Sequence, residues 1–178
     1  MKNTVKIALG AMCIALSAAV MMTASIVPFL TYAIPALAGM FILFIRIECN
    51  SKWALAVYFC TSVVCALVVP EKESVGMYIA LLGYYPVLKV ALDKLPKWLS
   101  VLVKSVFFTA DIIVAYIVMM KFFGISTELY EETGKFMIPL LVIMGLAAFL
   151  LYDKALYLFD LAYRRKWQKQ IHKILRIK

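Results

Sequence analysis

The sequence predicts an all-α fold, a polytopic membrane bundle of about six transmembrane helices with both termini cytoplasmic. Three observations predict it. Hydrophobic residues make up 65% of the 178 and charged residues only 16%, whereas soluble domains carry roughly 45–50% and 25%. Apolar blocks of helix length alternate with short polar clusters. The basic residues gather at every second connection. A chain this small cannot hide so large an apolar surplus in its own interior, and the mean hydropathy of +0.94 makes lipid the natural solvent.

A hydrocarbon core about 30 Å thick requires about 20 apolar residues per helix. The first span is expected over residues 5–24, followed by a bend containing Pro28, Thr31, Tyr32 and Pro35. A short second span over 33–47 exits at Arg46, Glu48, Asn50 and Lys52. The third covers 53–69 and ends in a tight charged turn over 70–74. The fourth covers 75–92, interrupted by Gly83-Tyr84-Tyr85-Pro86 and closed by Asp93, Lys94, Pro96 and Lys97. The fifth runs over 98–123. A loop over 124–135 carries Glu128, Glu131 and Glu132. The sixth is apolar over 137–151 and continues as a charged helix to about residue 165. No internal repeat, low-complexity segment or linker divides the chain. The expected organisation is a transmembrane domain over 1–163 and a basic cytoplasmic tail over 164–178.

Charge sets the orientation. With the N-terminus inside, only Lys72, Lys121 and Lys135 of the 19 basic residues fall outside, leaving 16 on the inner side. Cytoplasmic connections are the basic ones, so both ends are read as cytoplasmic and the span number as even. The same distribution argues against nucleic acid as the partner of the +9 net charge. Trp167, Ile171, Ile174 and Lys178 recur at helical spacing among basic residues, an amphipathic pattern suited to anionic lipid on the inner leaflet or to a cytoplasmic partner. Lys2 and Lys6 before an apolar run imitate a signal peptide, but hydrophobicity continues past Ser25 to Ile47, so an uncleaved first helix is expected. Met12 stands before Cys13 where a lipoprotein signal needs a small residue.

Asp111 is the most informative single residue. A carboxylate in the middle of a span costs at least about 2.5–3.5 kcal/mol on insertion scales, so it should face the interior and find a partner. It is either a ligand-contacting or ion-coupling acid or a structural hydrogen bond between helices. Lys104, seven residues earlier on the same face, and Lys89 are expected to snorkel to the cytoplasmic surface. Tyr84 and Tyr85, at a proline break of the kind tolerated where a helix lines a cavity or meets a neighbour, offer stacking faces and hydroxyls to a ligand. Glu71 and Glu73 sit at the outer mouth, as a lid or a solvated turn, with Tyr32 on the other outer connection. The candidate substrate-binding set is therefore Asp111, Tyr84, Tyr85, Glu71, Glu73 and Tyr32.

Ala11, Ala15 and Ala19 recur every fourth residue beside Gly10, a small-residue stripe along which another helix can approach closely. Cys13, Cys49, Cys60 and Cys65 follow no metal-binding spacing. His172 is the sole histidine, so a two-histidine metal site and a Ser–His pair are excluded, and no phosphate-binding glycine loop is present. Neither an enzyme, a metal nor a cofactor is expected.

The segment Lys6-Ile7-Ala8-Leu9-Gly10-Ala11 through Ala15-Leu16-Ser17-Ala18-Ala19, the six-span layout and the inner C-terminus resemble the substrate-binding S components of energy-coupling factor transporters. That resemblance implies a protein of a bacterial plasma membrane that captures a vitamin-like micronutrient from outside. A transmembrane coupling subunit and ATPase subunits would be its partners, with Ala11, Ala15 and Ala19 on the scaffold. The pocket would lie towards the outer half, near Tyr32 and Glu71–Glu73. A structural membrane protein of cell-envelope or sporulation machinery is the alternative, with an autonomous channel or carrier behind it.

Overall fold

A computed structural model describes the backbone of residues 3–26, 30, 31, 33–93, 96, 98–110 and 128–168, and the side chains of all of these save 128–142. Among the described residues there are six helices and no strand. They are α1 (Asn3–Thr23), α2 (Ala33–Glu48), α3 (Ser51–Val68), α4 (Lys72–Leu92), α5 (Trp98–Ala110) and α6 (Glu128–Ala162), the last prolonged by a π-helical turn, Tyr163–Trp167. Helices α1, α3 and α4 are long and apolar enough to cross a membrane. The chain divides into two compact units, one of Met1–Ala91 with Ala155–Lys178, the other of Leu92–Lys154.

The first unit is built on a four-residue rhythm. Leu9, Cys13, Ser17 and Met21 form the buried edge of α1, and Ile34, Ala38, Ile42 and Ile45 that of α2. Ala54, Val57, Thr61 and Cys65 do the same on α3. Residues three and four apart share one helical face, so each helix closes a continuous stripe onto the others. A Cβ on Gly10 would stand 3.1 Å from Val57, the closest approach that α1 makes to α3 at a glycine. Cys49 is within electrostatic reach of Lys6, which puts the α2–α3 junction beside the start of α1. At the opposite end, the Ser74 hydroxyl donates to the Thr31 carbonyl at 3.0 Å. The first four helices therefore alternate in direction.

Local chemistry sets the ends. The Asn50 side chain accepts from the Trp53 amide at 3.2 Å and caps α3, relieving one of the unpaired amides of a first turn. Lys72 Nζ donates to the Ala66 and Val69 carbonyls at 2.8 and 2.9 Å, satisfying the last turn of the same helix. The outer face of α3 carries Leu55, Phe59, Val63 and Leu67, from 45% to 80% exposed. A continuous stripe of large apolar side chains turned outward is poorly solvated by water and well matched to hydrocarbon.

Several expectations are corrected. The charged turn expected over 70–74 is shorter, because Lys72, Glu73 and Ser74 already belong to α4. The loop expected to run to residue 135 ends sooner, since α6 starts at Glu128. Glu128, Glu131 and Glu132 then belong to its first turns. Lys89 and Lys104 do not snorkel: they are 4% and 5% exposed. The fifth span is described only to Ala110, so its expected second half lies outside the described residues. Of the tail, residues to 168 are described.

Candidate functional site

Helix α4 is interrupted, one turn earlier than Pro86 suggests. Tyr78–Leu82 forms a π-helical turn, in which the Gly83 amide bonds to the Tyr78 carbonyl at 2.8 Å across five residues. The regular helix resumes at Tyr85. Pro86 then falls in a first turn, where an amide has no intrahelical partner to lose. Widened turns of this kind are rare and concentrate at functional sites.

Tyr58 of α3 holds the widened turn open. Its hydroxyl donates to the Ile79 carbonyl at 2.7 Å. Its ring lies 6.0 Å from that of Tyr78, tilted by 41°, and 6.1 Å from that of Tyr84, edge-on at 70°. Gly83 makes this possible, because a Cβ there would stand 2.7 Å from the Tyr58 ring and 2.8 Å from the Tyr78 carbonyl. Next to these rings, the hydroxyls of Tyr78 and Thr61 are buried without a well-formed hydrogen bond among the described residues, as is that of Ser17 on α1. Thr61 is within side-chain hydrogen-bonding reach of Tyr78, and Cys65 and Tyr58 are in electrostatic reach of it. The arrangement gathers aromatic faces and neutral hydroxyls around the widened turn.

The second unit carries an ionic cluster. Lys104 Nζ on α5 donates to Asp93 and, at 3.1 and 3.2 Å, to both carboxylate oxygens of Asp153 on α6. The Lys104 side chain is 7% exposed, those of Asp93 and Asp153 40% and 22%. One turn along, Phe108 stacks on Phe149 at 4.5 Å. The steps from Lys104 to Phe108 and from Asp153 back to Phe149 match, so α5 and α6 pack antiparallel here.

A third constellation closes the first unit at the end of α2. Tyr163 is 1% exposed and donates its hydroxyl to Glu48 at 2.7 Å, with the Gln168 amide at 3.5 Å from the same oxygen. Phe44 meets its ring edge-on at 5.3 Å and Phe159 stacks at 6.3 Å. Burial and the neighbouring carboxylate push the Tyr163 phenol above its ordinary range.

Of the residues singled out from sequence, Tyr84 joins the ring cluster half-buried and Tyr85 is 1% exposed. Glu71 is half-buried and Glu73 exposed at the head of α4. They are separated from Tyr84 by roughly 16–20 Å of helix rise, so the two groups do not form one pocket. Asp111 and Tyr32 lie outside the described residues. Ala11, Ala15 and Ala19 are all exposed, on the face of α1 opposite its buried edge. Tyr58, Tyr78, Thr61 and Ser17 were not singled out. The only sequence signal for them is a hydroxyl placed on the apolar rhythm of a span. All four cysteines are free thiols. No protein-family model matches the chain, and neither a curated protein nor a solved structure matches it.

Proposed function

We propose that the chain is the membrane-embedded substrate-binding subunit of an energy-coupling factor type importer, one that captures a small vitamin-like molecule from outside the cell. The observation that carries this reading is the ring cluster at the interruption of α4, where Tyr58, Tyr78 and Tyr84 converge on Gly83. A spanning helix gives up regular hydrogen bonding only where something compensates it, and here the compensation is aromatic and hydroxylic. The outward alanine stripe of α1 supports the same reading, since it leaves a small-residue face for a scaffold helix. In this proposal both termini are cytoplasmic, Asp111 contributes to the binding site, and the basic tail rests on anionic lipid.

Purification of the chain from its native membrane in mild detergent, with mass spectrometry of bound proteins and small molecules, tests the proposal. A transmembrane coupling subunit, ATPases and a small organic molecule are expected together. Recovery of cell-envelope synthesis proteins with no small molecule would select the structural alternative instead. In the same preparation Asp111→Asn weakens retention of the small molecule without loss of folded protein. A reporter fused after Lys178 is active in the cytosol.

A further inference from the structure

Three fully buried hydroxyls in the first unit converge on one place. Ser17, Thr61 and Tyr78 are each 0% exposed, and none completes a well-formed hydrogen bond among the described residues. Tyr78 lies within side-chain hydrogen-bonding reach of Thr61 and in electrostatic reach of Cys65, which fixes it against the buried edge of α3. Ser17 reaches the same place by register. Gly10 abuts Val57, and α1 and α3 run in the same direction. Seven residues further along each helix, about 10 Å of rise, bring Ser17 level with Val64. It then stands on the face that α1 turns to α3, between the levels of Thr61 and Cys65.

A hydroxyl taken out of water and left unpaired loses its solvation without recompense. Three of them in one core, surrounded by lipid, are a large penalty for a unit of this size. A buried water typically makes about three hydrogen bonds to such groups. The surroundings select the guest further. The groups facing Tyr78 are a threonine, a cysteine and a tyrosine, none of which carries charge at neutral pH, so among the described residues no charge there balances an ion. The π-helical turn begins at Tyr78 itself, so the local widening of the helix coincides with the unpaired hydroxyls.

We propose that Ser17, Thr61 and Tyr78 form an internal hydration site that holds ordered water between α1, α3 and the widened turn of α4. The water bridges the three hydroxyls. This is independent of the importer reading, because a structural membrane protein with the same core would hold the same water.

Radiolytic hydroxyl-radical labelling of the full chain in detergent micelles tests it. Radicals born from a bound water modify the side chains beside it even where bulk solvent has no access. Tyr78 is therefore labelled severalfold more than Tyr85, which is equally buried at 1% and serves as the internal reference. Thr61→Val, which keeps the side-chain shape, lowers Tyr78 labelling severalfold. Ser17→Ala provides the same test should the valine variant fail to fold. Equal labelling of Tyr78 and Tyr85, no labelling of Tyr78, or labelling unchanged in the folded variants would each overturn the proposal.

Discussion

The Tyr58 ring occupies the space that a side chain at residue 83 would need: a Cβ on Gly83 would lie 2.7 Å from that ring. The same tyrosine donates its hydroxyl to the Ile79 carbonyl, so one residue of α3 both braces the widened turn and excludes any substituent from its end. The glycine is required here by close approach rather than by backbone angle, its φ being −79°.

Gly83→Ala is accordingly expected to destabilise the protein by about 1–3 kcal/mol, the usual cost of forcing a methyl into a packed site. Tyr58→Phe keeps the ring but strips the Ile79 carbonyl of its donor, at about 1 kcal/mol. Combined with Tyr58→Leu, the alanine substitution becomes cheaper, and part of its cost remains because the Tyr78 carbonyl is also close. Thermal unfolding in detergent of the single and double variants measures the coupling. Strictly additive effects would contradict the contact.

Lys104 binds both Asp93 and Asp153, so its loss is asymmetric. Lys104→Met leaves Asp93 and Asp153 facing each other in a largely apolar setting, and removal of one partner from a buried pair costs about 3–5 kcal/mol. The lower end applies, because Asp93 is 40% exposed and solvent screens it. Adding Asp93→Asn and Asp153→Asn removes both carboxylate charges and recovers most of the loss. Denaturant or thermal midpoints of the single and triple variants check this. A triple variant no better than Lys104→Met would show that the charges are not the cause.

This cluster also marks where the sequence stops being readable. The existence and approximate limits of α1 to α4 follow from apolar length and polar punctuation, and the stripe Ala11 to Ala19 follows from a period of four. Lys104 reads as a snorkelling residue because nothing within one helix turn pairs with it. Its partner Asp153 lies 49 positions away and is found only when α5 and α6 are packed. The interruption of α4 is similarly half legible. Pro86 announces a break, but its position is fixed by Tyr58, twenty-one residues before Ile79. Glu71 and Tyr84 look like parts of one outer site in sequence and stand roughly 20 Å apart along a helix in space.

At the end of the first unit, Tyr163 supplies a pH dependence with a definite sign. Its phenol is raised from the ordinary value of 10.0 by burial first and by the Glu48 carboxylate second. The protonated form is therefore favoured in the folded state. That contribution is fully present below the unfolded value and is lost as pH rises from it towards the folded one. Stability is expected to fall steeply above about pH 10, and Tyr163→Phe flattens this fall while lowering stability at neutral pH through loss of the bond to Glu48. Thermal midpoints across the alkaline range, with tyrosinate absorbance followed in parallel, read both effects. An alkaline slope unchanged by the phenylalanine would assign it to other tyrosines.

Ala11, Ala15 and Ala19 separate folding from association. They are exposed on α1 while Leu9, Cys13, Ser17 and Met21 carry its packing, so a larger side chain on the stripe points away from that packing. Ala15→Leu is expected to change stability by no more than about 0.5 kcal/mol, as for other exposed positions. If the stripe receives a scaffold helix at the close range that small residues permit, the same substitution abolishes co-purification of that partner. Cys13→Leu is the contrasting variant. Cys13 is 1% exposed, and overpacking there costs about 1–3 kcal/mol whatever the chain associates with. Pull-down yield and thermal midpoint measured on both variants decide the matter. Loss of the partner with Ala15→Leu at an unchanged midpoint assigns the stripe to association, whereas a lowered midpoint assigns it to packing within the chain.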